Sequence, residues 1–399
     1  MTVPLIQVLL VEDSVPDATL LRETLAQTAP GQFAVTNVDS LAAARECLRQ
    51  KNYDVILADL GLPDSHGAAS FERLRQHAPV TPIIVLTGLN DEELAVRIVN
   101  AGAQDYLVKG RVPGDLLVRA LRYAIVRQRI EHELQQRNEE MAKDLAMARE
   151  FQQAFLPRKF PTFPPGVAPV QSALHFYQAY WPSSAVGGDF FSVRSLDDTR
   201  AGIFLCDVMG HGVRAALVTA MIRGLLEELR PCADEPNRFL TELNHALFDV
   251  LPASDTTMFV TAFYLVADTR ARTLTWATAG HPSPLFIPRA TGQVRPLSPP
   301  GTPTGPVLGL FERPDFPAAT TGVAAGDFVL LFTDGLYEAL NPAGVEFGLA
   351  NLETCVQSLA TLPPPALFNE LLATVCRFAA PGTFADDVCL LGVGFGGPV

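Results

Sequence analysis

The stretch Asp54-Val-Ile-Leu-Ala-Asp59-Leu-Gly-Leu-Pro-Asp-Ser-His-Gly67 holds a short apolar run that ends at an acidic residue and enters a turn-rich segment. Such a run predicts a buried strand followed by a loop. Amphipathic stretches separate it from further apolar runs at residues 6–11, 33–38, 82–87 and 105–108. Five βα repeats with short connections predict an α/β doubly wound domain, whose parallel sheet is covered on both faces.

Polar residues stand at the carboxyl ends of these predicted strands: Glu12, Asp13, Asp59, Thr87 and Lys109. Because the carboxyl ends of parallel strands meet at one edge of a sheet, we expect a single site there. Three carboxylates can hold one Mg²⁺. Asp59 is then a nucleophile towards a phosphoryl group, and Lys109 and Thr87 stabilise the oxygens of the acyl phosphate. The alternative is that Lys109 caps a helix and Asp59 ends a turn.

These segments resemble the receiver domain of two-component response regulators, which has a flavodoxin-like fold. The residues that carry the resemblance are 8–13, 54–67, 87–88 and 105–109. It implies that Asp59 is the phosphoacceptor for a sensor histidine kinase, and that the Gly61 carbonyl joins the three carboxylates around Mg²⁺. It also implies that Thr87 and Tyr106 move on phosphorylation. One departure is Gly110, where many receivers have proline after the lysine.

A stretch almost free of Gly and Pro, from about Asp115 to Phe155, predicts one long helix of roughly 60 Å at 1.5 Å per residue. Apolar residues recur along it, first as a stripe and then at heptad spacing: Leu117, Leu121, Ala124 and Ile125, then Leu134, Met141, Ala148 and Phe155. This pattern predicts a parallel coiled coil and therefore a homodimer. The alternative is a solvated linker helix that packs on its own domain.

A Pro-rich stretch from Pro157 to Pro169 marks the start of another domain, because proline disfavours helix before it. We therefore expect a receiver domain at 1–124, a helical coiled-coil linker at 125–158 and a second domain at 159–399. Strand-like runs lie at 190–193, 201–206, 258–267, 273–279, 328–333 and 388–395, and helical stretches at 211–230, 236–251 and 365–379. They predict an α+β fold, an αββα sandwich with the sheets inside and the helices outside.

Five aspartates of the second domain each lie at or beside the end of an apolar run in a Gly-flanked setting: Asp189, Asp207, Asp334, Asp386 and Asp387. A buried carboxylate cluster requires cations to neutralise it, and ligand sets of oxygen alone favour Mg²⁺ or Mn²⁺ over Zn²⁺. Two such ions can aim a hydroxide at a phosphorus atom, which predicts a hydrolase. Taken singly, each aspartate can instead end a turn or cap a helix.

The second domain resembles the PPM (protein phosphatase 2C) family of metal-dependent serine/threonine phosphatases, in its SpoIIE-type branch. The motifs are at residues 186–191, 207–212, 279–285, 333–335 and 386–387, and residues 151–157 resemble the regulatory helix that precedes such domains. Met209 and Pro282 depart from the serine and asparagine that are usual in the branch.

The resemblance implies a metal-binding role for each of the aspartates. Asp189 and Asp207 would bind two Mn²⁺ or Mg²⁺ ions, with the Val208 carbonyl as a further ligand. Asp334 and Asp386 would complete the second metal site, with Asp387 as the less certain member of its pair. A bridging hydroxide would then attack phosphoserine or phosphothreonine.

Two further sets of residues belong to these motifs. Four glycines are expected to let the backbone approach the ions without crowding from side chains: Gly187, Gly188, Gly210 and Gly212. His211 and His281 are candidates for proton donors to the leaving alkoxide, but a histidine beside glycines is more often a structural residue.

Composition limits the class of partner. The chain has 30 Lys and Arg against 43 Asp and Glu, a net charge of −13, which disfavours nucleic acid and anionic membranes as partners. A protein partner is favoured. Six scattered cysteines without a Cys-x-x-Cys pair predict reduced, structural thiols. The first residues lack a basic region and enter a core strand, so we expect no signal peptide and a cytoplasmic protein.

Together, these observations predict a response regulator in which phosphorylation of Asp59 controls a metal-dependent protein serine/threonine phosphatase. The resemblance implies a phosphorylated anti-sigma-factor antagonist as the substrate. The alternative is a non-enzymatic adaptor that binds a sigma factor or an antagonist under receiver control. The sign of the control and the choice between Mg²⁺ and Mn²⁺ stay open at this stage.

Overall fold

The structure, a computed structural model, describes residues 5–88, 92–110, 112–251, 258–298, 305–379 and 384–396. The chain divides into two units, Met1–Ala142 and Lys143–Val399, and the division falls inside one long helix. Each unit has its own buried core, so each is described by itself.

The first unit alternates strands and helices, as the sequence predicts. Its strands are β1 Ile6–Val11, β2 Phe33–Val38, β3 Val55–Asp59, the two-residue strands β4 Gly61–Leu62 and β5 Ser65–His66, then β6 Ile83–Thr87 and β7 Asp105–Val108. Its helices are α1 Val15–Thr28, α2 Leu41–Gln50, α3 Ala68–His77, α4 Glu92–Asn100 and the start of α5 Gly114–Phe155. The main sheet is parallel and has the strand order β2-β1-β3-β6-β7.

Alternate residues of the central strands enter two cores, one on each face of this sheet. Leu9 and Val11 of β1 pack with Phe71 and Leu74 of α3, whereas Val8 and Leu10 pack in a second cluster. Residues of α1 and α5 complete that second cluster. The α/β doubly wound prediction is therefore confirmed, and the carboxyl ends of the strands are left at one edge.

Helix α5 is continuous over 42 residues, as predicted, but its apolar positions serve different purposes. Leu117 and Leu121 are fully buried in the core of the first unit, together with Ala124. That part of the stripe is therefore occupied within its own unit and does not form a coiled-coil seam. Leu134 and Met141 are 58% and 64% exposed.

Within the described residues, no helix is both long and apolar enough to cross a membrane.

The second unit contains ten strands and four helices after α5 within the described residues. The strands are β8 Leu174–Trp181, β9 Phe190–Ser195, β10 Arg200–Val208, β11 Val260–Asp268, β12 Thr273–Ala279, β13 Leu285–Ile287, β14 Arg295–Pro296, β15 Ala319–Gly322, β16 Phe328–Phe332 and β17 Val388–Phe395. The helices are α6 Val213–Glu228, α7 Pro236–Phe248, α8 Leu349–Leu359 and α9 Pro364–Phe378.

These strands form two antiparallel sheets, in the orders β15-β12-β11-β10-β9 and β14-β13-β16-β17-β8. Neighbouring side chains along a strand point to opposite faces of its sheet. In β9, Phe191 packs between the two sheets, and Phe190 packs against helices α6 and α7. Helices α8 and α9 cover the outer face of the other sheet. The layers are αββα, as predicted, and β9, β10, β16 and β17 bring distant aspartates to one end of the sandwich.

Candidate active site

The carboxyl edge of the parallel sheet gathers the residues predicted for the receiver site. Ligand oxygens of Glu12, Asp13 and Asp59 lie within 4.8 Å of one another, and they form the one such group of three or more potential metal ligands among the described residues. Glu12 and Asp13 follow β1, and Asp59 ends β3. This set of oxygens alone fits Mg²⁺, which prefers carboxylate ligands.

Lys109 occupies the same acidic pocket. Its Nζ lies 2.7 Å from the carboxylate of Asp59 and 2.6 Å from that of Glu12, and Asp17 lies 3.6 Å away. Although burial alone would lower the pKa of Lys109, the hydrogen bonds to Asp59 and Glu12 raise it. Burial raises the pKa of Glu12, and Lys109 opposes that shift. The ammonium is thus held charged beside the predicted phosphoacceptor.

Two further residues complete this edge. Thr87 ends β6 and is 2% exposed, and its hydroxyl has no hydrogen-bond partner among the described residues. Such an unsatisfied buried hydroxyl is costly unless another group binds there, which suits an incoming phosphoryl oxygen. Gly61 stands beside the carboxylate of Asp59, which lies 3.7 Å from the position of a Cβ on this glycine. Asp17 was missed in the sequence, where it reads only as a first-turn residue of α1.

In the second unit, Asp189 precedes β9 and is 2% exposed. Its Oδ2 accepts a hydrogen bond of 2.6 Å from the hydroxyl of Thr333, which in turn accepts one of 2.9 Å from the backbone N–H of Cys389. Burial raises the pKa of Asp189 well above its usual range, and the carboxylate of Asp207 raises it further. The strands β9, β16 and β17 therefore converge on this one carboxylate.

Asp207 lies near the end of β10, beside Asp189. Burial raises the pKa of Asp207 to about 8, and the carboxylates of Asp334 and Asp386 contribute. Asp334 begins the short 3₁₀ turn Asp334–Leu336 after β16, and burial followed by the charge of Asp386 raises its pKa as well. Such carboxylates are stable in the charged form only with cations close by, which fits divalent metal ions.

The adjacent pair Asp386 and Asp387 differ sharply in their partners. Asp387 is 2% exposed, and both of its oxygens are used within the protein. Oδ1 accepts hydrogen bonds from Ser183, and Oδ2 accepts one of 2.6 Å from the backbone N–H of Gly188. Asp386 is half-buried and accepts one bond, of 2.8 Å, from the backbone N–H of Asp387. Asp386 thus keeps an oxygen for a ligand, and Asp387 positions the loop before β9.

The loop of Gly187 and Gly188 has no room for side chains. A Cβ at Gly188 would lie 2.7 Å from the carbonyl oxygen of Val208, and one at Gly187 would strike the carboxylate of Asp387. Gly210 and Gly212 differ, because nothing lies within 4 Å of a Cβ there. Their φ angles are +86° and +85°, so they are required for backbone conformation and not, as predicted, to prevent crowding.

The two histidines have separate environments. His281 is 1% exposed, its Nδ1 is 2.9 Å from the hydroxyl of Thr261, and burial lowers its pKa to about 3. A neutral, buried imidazole of this kind supports packing and does not supply a proton near neutral pH. His211 is exposed in the loop between β10 and α6.

Gln152, near the end of α5, makes a contact that the sequence did not reveal. It is 7% exposed, and its side-chain amide donates a hydrogen bond of 2.7 Å to the carbonyl of Gly187 and accepts one of 3.0 Å from the N–H of the same residue. It also lies 3.3 Å from the hydroxyl of Thr219 on α6. The end of α5 is therefore fastened to the loop that precedes Asp189.

Two known families match separate parts of the chain. Residues 8–121 match the response regulator receiver domain, and residues 197–395 match stage II sporulation protein E (SpoIIE). Among characterised proteins, the chain is 28% identical over 160 residues to the phosphoserine phosphatase RsbP of Bacillus subtilis and 26% identical over 206 residues to RsbU of the same organism. These matches cover 40% and 52% of this chain, but only 38% and 57% of the relatives.

Solved structures show the same fold in the second unit. The SiaA-PP2C domain of Pseudomonas aeruginosa superposes with a TM-score of 0.54 at 24% identity, over 65% of this chain and 98% of that domain. The RsbU and RsbW domains of Rv1364c from Mycobacterium tuberculosis give a TM-score of 0.50 at 24% identity, over 61% of this chain and 64% of theirs.

Proposed function

We propose that this chain, whose residues 8–121 match the response regulator receiver domain and whose residues 197–395 match SpoIIE, is a receiver-controlled, metal-dependent protein serine/threonine phosphatase. The observation that carries the proposal is the placement of four buried or half-buried aspartates at one end of the αββα sandwich, where burial and neighbouring carboxylates raise the pKa of three of them and the fourth accepts a backbone N–H. They are Asp189, Asp207, Asp334 and Asp386.

In this proposal, Asp189 and Asp207 hold both divalent cations, Mn²⁺ or Mg²⁺, with the Val208 carbonyl beside them. Asp334 and Asp386 complete the second site. When bound, such a pair of cations supplies Lewis-acid activation of water and neutralises phosphoryl oxygens. Asp387 holds the loop of Gly187 and Gly188 in place, and Thr333 orients Asp189, so that the carboxylates are positioned before a substrate arrives.

The receiver site supports control by phosphorylation. We propose that a sensor histidine kinase supplies the phosphoryl group to Asp59, with Mg²⁺ held by Glu12, Asp13 and Asp59 and the Gly61 carbonyl. Lys109 then stabilises the acyl phosphate, and the hydroxyl of Thr87 takes up a phosphoryl oxygen. Tyr106 is proposed to change position with that step.

Helix α5 is proposed as the route from the receiver to the phosphatase site. It leaves the receiver core and carries the exposed apolar residues Leu134 and Met141, whose heptad spacing permits pairing with a second copy. Gln152 connects its last turn to Gly187, so a change in α5 would alter the loop that precedes Asp189. In a homodimer paired through α5, phosphorylation of the receiver would change the pairing of the two helices and thereby the contact between Gln152 and Gly187.

The proposed substrate is a phosphorylated regulatory protein such as an anti-sigma-factor antagonist. It is supported by the resemblance to RsbP and RsbU, each named as a phosphoserine phosphatase.

The deciding experiment is hydrolysis of p-nitrophenyl phosphate by the full chain with Mn²⁺ or Mg²⁺, compared with Asp207→Ala. We expect metal-dependent turnover in the wild type and a loss of at least about 100-fold in the variant. Equal rates in the two proteins would reject the enzyme and favour the non-enzymatic adaptor.

A further inference from the structure

A cluster of arginines lies on the second unit, away from the proposed hydrolytic site. Four arginines line one groove at the end of α5: Arg158, Arg194, Arg223 and Arg230. They come from four different elements: the segment after α5, strand β9, helix α6 and the turn that follows α6. In a chain of net charge −13, such a convergence of like charge is unexpected.

One acidic residue, Glu227, lines this groove among the described residues. Its two oxygens are divided between two of the arginines, at 3.0 Å from Nη1 of Arg194 and 2.9 Å from Nη1 of Arg223. Four arginines and one glutamate thus line the groove, which leaves an excess of three positive charges. Arg158 and Arg230 are exposed, and neither forms an ion pair with an acidic residue among the described residues.

The side chain of Arg194 is held in place by two hydrogen bonds. Its Nη1 donates a hydrogen bond of 3.0 Å to the carbonyl of Leu226, and its Nε donates one of 3.2 Å to the hydroxyl of Ser192. Its Nη2 is buried and has no hydrogen-bond partner among the described residues. Burial lowers the pKa of Arg194, and the charge of Glu227 opposes that shift. The charges of Arg223 and Arg230 lower this pKa, so these arginines repel Arg194.

Repulsion of this kind is relieved when an anion binds. Arginine forks match phosphate and carboxylate oxygens, and an excess of three charges suits a dianion better than a single carboxylate. We propose that this groove binds a phosphate monoester or inorganic phosphate. The source is either a free phosphate compound or a phosphorylated protein segment, which present the same dianion.

The groove is separate from the aspartate site. Asp189 precedes β9 and Arg194 is its fifth residue, so the two are about 16 Å apart along the strand at 3.3 Å per residue. The groove is also lined by Phe155 and Pro157, which follow Gln152 within two turns. A bound dianion would therefore join the end of α5 to β9 and α6, close to the residue that fastens the loop before Asp189.

The test uses the full chain in EDTA, so that no metal ion can attract phosphate to the aspartates. Inorganic phosphate is titrated by isothermal calorimetry into the wild type, into Arg158→Gln/Arg230→Gln, and into the matched control Arg238→Gln. Arg238 is an exposed arginine on α7, paired with Glu235 and outside the groove. We expect saturable binding in the wild type and control, and binding at least tenfold weaker in the double variant.

A second titration separates the two sources. A phosphoserine peptide that binds at least tenfold more tightly than inorganic phosphate identifies a phosphorylated protein, and equal affinity identifies a free phosphate compound. The affinity for both probes should fall as the NaCl concentration is raised, because exposed charges are screened. The proposal is overturned if the wild type shows no saturable binding of either probe, or if the double variant, folded by circular dichroism, binds as the wild type does. Neither outcome depends on hydrolysis.

Discussion

The hydroxyl of Thr333 donates a hydrogen bond of 2.6 Å to the carboxylate of Asp189, and neither residue is more than 2% exposed. The same hydroxyl accepts the N–H of Cys389, so a single side chain ties β16 and β17 to a proposed metal ligand. Loss of a group that holds a metal ligand in this way typically lowers metal affinity or activity by roughly 10- to 100-fold.

Replacing Thr333 by valine is expected to lower Mn²⁺ affinity and turnover by roughly 10- to 100-fold, because Asp189 loses its orienting donor. Thr333→Ser should recover most of the loss, because it keeps the hydroxyl. The measurement is the Mn²⁺ dependence of p-nitrophenyl phosphate hydrolysis. Wild-type Mn²⁺ dependence in Thr333→Val would contradict the proposed role.

We expect Asp386 to bind metal and Asp387 to support the structure. Asp386→Asn should weaken Mn²⁺ binding with little change in stability, because it removes a free carboxylate oxygen. Asp387→Asn should cost about 2 to 3 kcal/mol of unfolding free energy, since it weakens charge-assisted bonds to Gly188 and Ser183. Urea denaturation in EDTA and Mn²⁺ titration of each variant distinguish the two, and the reverse pattern would refute the assignment.

Gln152→Ala is expected to reduce turnover by roughly tenfold or more, because both hydrogen bonds to Gly187 are lost next to Asp189. Gln153→Ala is the matched control, since Gln153 is the exposed neighbour on the same helix. If the two variants retain equal activity, the end of α5 does not position the loop.

The receiver is expected to act through Asp59. Beryllofluoride, a phosphoryl mimic, should change the phosphatase rate or the oligomeric state of the wild type with Mg²⁺ present. Asp59→Asn should show neither change, because the mimic requires that carboxylate. Comparing rates and sedimentation with and without the mimic gives the sign of the control, and an identical response in the variant would exclude this site.

Removing metal should make stability depend on pH through Asp207. Its pKa is about 8 in the folded protein and ordinarily 3.8, so the metal-free folded state holds a proton that the unfolded chain has released. The protonated Asp207 carboxyl therefore contributes to the free energy of unfolding. This contribution is fully present below about pH 4 and is lost as the pH rises towards 8, at up to about 1.4 kcal/mol per pH unit. Urea denaturation in EDTA from pH 5 to 8 should show that slope. Asp207→Asn should reduce it, and an unchanged slope in the variant would be contrary to expectation.

The bounds of several strands could be predicted closely from sequence. The bounds of β1, β2, β12 and β17 agree with the apolar runs, because each run is bounded by turn or polar residues. Strand β8, Leu174–Trp181, was missed, since it is an edge strand whose sequence mixes His, Gln and aromatic residues and is only partly buried. Helix α8 was missed as well.

Motif spacing marks the proposed acidic ligands in the sequence, but nothing in the sequence marks the residues that support them. Thr333 lies within an apolar run, and Gln152 lies in a polar helix, so neither differs locally from its neighbours. Their partners are 144 and 35 residues away in the chain and are reached only through the fold. The stripe of Leu117 and Leu121 was assigned to a coiled coil although it is buried in the receiver core. A core face and a dimer seam have the same periodicity, so the sequence pattern does not distinguish them.

The use of both Asp387 oxygens by the backbone before β9 bears on how related sequences are interpreted. A relative that keeps Asp386 but has lost Asp387 would retain its full set of proposed ligands and still have a displaced loop. Such a protein would resemble a pseudoenzyme in assays at low metal concentration, and excess manganese would restore part of its turnover. Counting ligands alone would therefore misclassify it.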